Sequence, residues 1–187
     1  MLKSGRVVLA LAIVAAAGLG GWRIDVRAQQ SAPVFSASPD PHAAPRPLMV
    51  DPEQARADYV ENCAGCHGLH GSTVPAKLPE LAGRVGWFMC TPEARAYLIR
   101  LPNVANSRIT DNAQLADMMN YVIFELGKGS VKPGTPPFTA EEVAYERKFA
   151  LSDRSLSDER LRLAKQVVQR CHAPDSIKLL YPGETAK

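Results

Sequence analysis

Cys63-Ala64-Gly65-Cys66-His67 sets two thiols three residues apart, with an imidazole directly after the second. Cys-x-x-Cys-His is the attachment pattern of a c-type haem. The chemistry explains the spacing. Two thiols on one turn of helix can each form a thioether with a haem vinyl group, and the adjacent imidazole then falls onto the iron. A thioredoxin-like pair would need a preceding strand and a βαβ surround, neither of which the sequence offers. Zinc would need a second ligand pair at compatible spacing, and only Cys90, Cys171 and scattered histidines remain. A bare Cys63–Cys66 disulfide would leave His67 without a role. The expected cofactor is one covalent haem c, held by Cys63 and Cys66, with His67 as axial ligand.

The elements that must present this turn are legible around it. Asp51 is a candidate N-cap, Pro52 suits a first helical turn, and Ala55, Tyr59 and Val60 recur at helical spacing, which predicts a helix over 52–62 running into Cys63. Residues 68–90 read mostly as loop. Thr91 and Pro92 open a short helix to Leu101, and 103–108 reads as loop. Thr110 or Asp111 caps a helix in which Leu115, Met118 or Met119, Val122 and Leu126 share a face, ending at Gly127. Beyond a Pro/Gly-rich hinge, capping boxes at Thr139 with Glu142 and at Ser155 with Asp158 start helices to about 150 and 171. The second carries Leu156, Leu163, Ala164, Val167, Val168 and Cys171 on one side, so it must dock. No alternating strand pattern and no repeat are present, and the fold class is all-α.

From 51 to 127 the chain resembles the class I c-type cytochromes. The resemblance rests on the helix leading into the haem motif, the loop Leu78-Pro79-Glu80-Leu81-Ala82-Gly83, and the helix from Ile109-Thr110-Asp111-Asn112-Ala113-Gln114-Leu115-Ala116-Asp117 through Tyr121. It implies that the first and last helices of this segment cross beside the haem, with Tyr121 at the crossing. It also makes Pro79 the candidate source of a backbone carbonyl that holds the other ring nitrogen of His67. The expected architecture is a cytochrome c-like helical domain over 51–127 followed by a hinge and helical extension over 128–187.

The chain departs from the family on the other side of the iron. Where the family usually presents a methionine, the sequence reads Leu101-Pro102-Asn103-Val104-Ala105, and leucine has no lone pair. Met119, Met118 and Met89 are the candidate sixth ligands. Met118 and Met119 lie on an apolar helix face, where methionine more often packs a core. Met49 precedes the domain; His42, His70 and His172 read as surface residues, as do the charges of Arg100 and Arg108 beside the loop. A vacant sixth position therefore stands as an alternative.

Residues 1–28 carry Lys3 and Arg6 before the apolar run Val7 to Leu19, with Val26-Arg27-Ala28 as a cleavage site, and read as a cleaved export signal instead of an N-terminal membrane anchor. Haem attachment follows export, so motif and leader agree on a periplasmic protein. Of 22 basic side chains the leader holds Lys3, Arg6, Arg23 and Arg27, and of 19 acidic ones Asp25, so the formal charge of +3 falls to zero without it. That removes the case for nucleic-acid binding. At 46% apolar the composition also excludes a polytopic membrane protein. Residues 29–50, with Pro33, Pro39, Pro41, Pro45 and Pro47, read as a linker.

Cys90 and Cys171, in an oxidising compartment, are expected to form a disulfide that pins the last helix. Two free thiols, or a second haem at Cys171-His172 where Val168 replaces the first cysteine, are the other readings. No nucleophile with a base and no phosphate loop is visible, so the expected function is single-electron transfer between periplasmic partners, not an enzyme. The family suggests an exported dehydrogenase or a terminal oxidase as partner. The alternatives are an open-site haem protein, acting as a peroxidase-like enzyme or a small-gas binder or sensor, and a cytochrome subunit of a larger complex.

Overall fold

The first helix, α1 (Pro52–Asn62), begins where the Asp51 carboxylate accepts from the Gln54 amide at 3.0 Å, with Pro52 in the first turn. Its buried strip is narrow, holding Ala55, Asp58 and Tyr59. After it come α2 (Ala64–His67), a 3-10 turn over Val85–Cys90, α3 (Pro92–Arg100) and α4 (Pro102–Ala105). Next are α5 (Asn112–Asn120), α6 (Ala140–Glu146), α7 (Leu156–Cys171) and a closing 3-10 turn over Asp175–Lys178. The structure, a computed structural model, is described for residues 47–73, 77–152, 155–181 and 184. Among these there is no strand, and the class is all-α. The expected leader, 1–28, and most of the expected linker, 29–50, lie outside the described residues. No described helix is long and apolar enough to cross a membrane.

The caps read from sequence hold. Thr91 accepts from Ala94, Asp111 from Ala113 and Gln114, Thr139 from Glu142, and Ser155 from Asp158. Each supplies an acceptor to amides that a helix start leaves unpaired. Two segments expected as loop are helical in part. Val85–Cys90 forms a 3-10 turn because Val85, Gly86, Phe88 and Met89 are all buried, a packing pattern without the 3.6-residue period. Pro102–Ala105 forms one turn with Pro102 at its start. The helix from Asn112 does not stay α to Gly127: residues Tyr121–Leu126 widen into a π-helical turn, where the Gly127 amide bonds the Val122 carbonyl.

The core is one cluster. Tyr59, Ile99, Leu115, Met118 and Ile123 from the front of the chain pack with Val143, Leu163, Val167 and Ile177 from the extension. Helix α1 packs across α5, which also packs on α6, and α7 lies against the Val85–Cys90 turn. The segment after the hinge is thus part of the same core as residues 51–127. A Cys90–Cys171 disulfide, Cα–Cα 6.3 Å, joins α7 to that turn. It makes neither cysteine a free thiol nor Cys171 a haem anchor.

Candidate functional site

Helix α1 delivers Cys63 as its C-cap, and the Cys63 carbonyl then accepts from both the Cys66 amide at 3.1 Å and the His67 amide at 2.9 Å. Cys63, Cys66 and His67 are therefore fixed on one tight turn. Gly68 ends it with φ of 73°, and a Cβ there would sit 2.4 Å from the Ser72 carbonyl oxygen, so the turn requires glycine. Cys63 is half-buried, Cys66 is exposed, and neither is disulfide-bonded. Burial, and then the neighbouring Cys66, push the Cys63 thiol up to about 11. That direction is opposite to the lowered thiol pKa of dithiols built for exchange. Among the described residues no group of three His, Cys, Asp or Glu is placed to hold a metal ion by itself.

The His67 imidazole is partly buried, which depresses its pKa, while the Pro79 backbone carbonyl raises it in opposition. Nδ1 is nevertheless buried with no well-formed hydrogen bond. The two facts agree if the Pro79 carbonyl faces the ring from outside ideal hydrogen-bond geometry. Two free thiols and an imidazole on the same turn form a donor set that suits a covalently attached porphyrin with a histidine-ligated iron.

Beside the motif, the ring centroids of Tyr59 and Tyr121 lie 5.6 Å apart at the α1 and α5 crossing. The Tyr59 hydroxyl donates to the Gly68 carbonyl at 2.6 Å. Burial, then the nearby Cys63 and Tyr121, raise its pKa to about 12. The same crossing buries the Asp58 carboxylate, which accepts from the side-chain amides of Gln54 and Gln114, both at 2.9 Å. Asp117 accepts from the Val50 and Asp51 amides and ties the chain entering α1 to α5.

Met118 and Met119 are buried in α5, at 1% and 4% exposure. Met89 is buried too, with its sulfur 3.9 Å from Arg95 Nη1. Leu101 and Val104 pack against the core at its edge. Arg100 is not the solvated charge expected: its Nε donates to Glu146 at 2.6 Å, its guanidinium lies over the Phe149 ring, and its carbonyl accepts from the Leu151 amide. Arg147 reaches from the extension into the loop after α4, where its guanidinium meets the carbonyls of Ala105, Ser107, Ile109 and Thr110 and the Asn112 side chain. The end of the chain also folds back to the Pro79 loop. The Glu80 amide donates to the Leu180 carbonyl, and Arg84 and Arg160 both donate to the Leu179 carbonyl. Sequence reasoning missed all of these ties, since nothing local marks a guanidinium whose acceptors lie 19 to 95 residues away.

Two cytochromes c-552 of Thermus thermophilus are each 30% identical to this chain over 124 residues. The match takes 57% of this chain and 95% and 84% of the two relatives. No family model and no solved structure matches.

Proposed function

This chain belongs to the c-type cytochrome family, and from that premise we propose that it is an exported class I carrier of single electrons with one covalent haem c. The observation that carries the reading is the single turn holding two free thiols with an imidazole directly after the second. Cys63 and Cys66 would hold the haem, each by a thioether in which S–H has added across a vinyl group. When bound, the haem supplies a one-electron couple between ferric and ferrous iron. His67 would ligate the iron, with the Pro79 carbonyl facing its ring. Cys66 stands at the surface, where a partner protein can approach the site. An exported dehydrogenase or terminal oxidase is the partner class that suits a periplasmic carrier.

Intact mass and absorption spectra of the mature protein test this. We expect the mass of a chain cleaved after Ala28 plus one haem, less two protons for the Cys90–Cys171 bridge. In Cys63→Ala or Cys66→Ala one thioether is lost, and in the double variant haem no longer survives denaturation. A mature chain of bare polypeptide mass would overturn the reading.

Three observations favour a second reading, in which the sixth position is open and the protein binds small ligands. Leu101 replaces a donor, Met118 and Met119 are packed in the core, and the Met89 sulfur already faces Arg95. A purely low-spin spectrum with the sulfur-to-iron charge-transfer band would exclude it and leave Met119, Met118 or Met89 as the ligand.

A further inference from the structure

The Tyr59 ring is fully buried, and its hydroxyl meets the carbonyl of the residue directly after His67. The Gly71 amide closes the turn on that same Gly68 oxygen at 3.2 Å and lowers the phenol's pKa against the effect of burial. The Gly71 carbonyl in turn accepts from the Leu81 and Ala82 amides at 2.9 and 3.2 Å. Those amides lie just beyond Pro79, whose carbonyl faces the His67 ring. One hydroxyl thus stands where the segment leaving the imidazole meets the loop that returns to it. Phenylalanine would fill the same place against Tyr121, so ring packing alone does not require the oxygen. A buried hydroxyl without a partner is costly, so this one is committed to the turn.

We propose that Tyr59 is a positioning residue for the His67 imidazole, its hydroxyl fastening the Gly68–Gly71 turn, whose Gly71 carbonyl in turn holds the loop that carries Pro79. The inference rests on reading His67 as an axial ligand. Groups that hold a ligating imidazole from behind set its orientation and its basicity, so a disturbance here reaches the ring without touching it.

Tyr59→Phe and, as a control at the same helix crossing, Tyr121→Phe are prepared as haem-loaded full chains, and NMR reads the His67 ring protons and amide exchange. Tyr59→Phe is expected to shift the His67 ring resonances and to speed exchange at Leu81 and Ala82 about tenfold. Tyr121→Phe is expected to leave both as in the wild type. Unshifted His67 resonances in a haem-bearing Tyr59→Phe chain would overturn the proposal. Equal shifts from both variants would overturn it too, since they would mark a general loosening of the crossing. If Tyr59→Phe does not mature, 3-fluorotyrosine installed at position 59 keeps the ring and strengthens the donor, and it must shift the same resonances or the proposal falls. A wild-type chain without covalent haem would instead defeat the functional reading itself.

Discussion

Five oxygens converge on the Arg147 guanidinium: the Ala105 carbonyl and Asn112 Oδ1 at 3.0 Å, Ile109 at 3.3 Å, and Ser107 and Thr110 at 3.5 Å. A planar fork with five N–H donors can serve such a set, and an ammonium on a flexible stem cannot. Arg147→Lys should therefore cost about 2 kcal/mol, the scale of a lost charge-assisted hydrogen bond to a half-buried loop. It should also speed amide exchange at residues 105–112 while leaving the Cys63–His67 turn unchanged. Thermal melts and exchange on the same sample check both parts. The contrast with the haem motif explains what a sequence discloses at this scale. Cys63, Cys66 and His67 could be read because their chemistry fixes a spacing within one turn. The role of Tyr59 could not, because its acceptor depends on how the chain doubles back after His67, and Arg147 acts on residues up to 42 positions away.

The elements that were legible are those with their own start signals. Asp51, Thr91, Thr139 and Ser155 each stand at the N-cap position read for them, and of Thr110 and Asp111 it is Asp111 that caps. The 3-10 turn at Val85–Cys90 has no side-chain cap and owes its form to what lies against it, including α7. The disulfide joins these two, closing a sequence separation of 81. In the chain-entropy picture a loop of that length destabilises the unfolded state by about 4.5 kcal/mol. The Cys90→Ala/Cys171→Ala double variant should accordingly lose between about 2 and 5 kcal/mol in denaturant unfolding. Helix α7 also meets the core through Leu163, Ala164 and Val167. The variant should therefore still fold, with the loss appearing as a lower midpoint and not as a detached helix. A midpoint equal to the wild type would show that the crosslink adds no net stability.

At the scale of the whole molecule, a shared core replaces the separation that the Pro/Gly hinge suggests, and that core has few ionisable groups to unsettle it except its phenols. Tyr97 is buried at 7% exposure, stacked on Phe88 with ring centroids 6.0 Å apart. Burial raises its pKa to about 12; the Arg160 guanidinium works against that rise and Glu159 adds to it. An acid whose folded pKa lies above its unfolded value of about 10 keeps its proton in the native state after the unfolded chain has lost it. Its contribution is fully present below about pH 10 and declines as the pH rises toward 12, by about 3 kcal/mol over two units. Tyr59, raised by burial to the same value, adds to the decline over the same window. The protein should therefore hold its stability through neutral and mildly alkaline pH and unfold steeply above about pH 10. Tyr97→Phe removes one of the two phenols while keeping the stack on Phe88, so its unfolding free energy should fall less between pH 10 and 12 than that of the wild type. Urea titrations at pH 8, 10 and 11.5 separate the outcomes: parallel losses in the two proteins would show that Tyr97 ionises as freely in the folded chain as in the unfolded one.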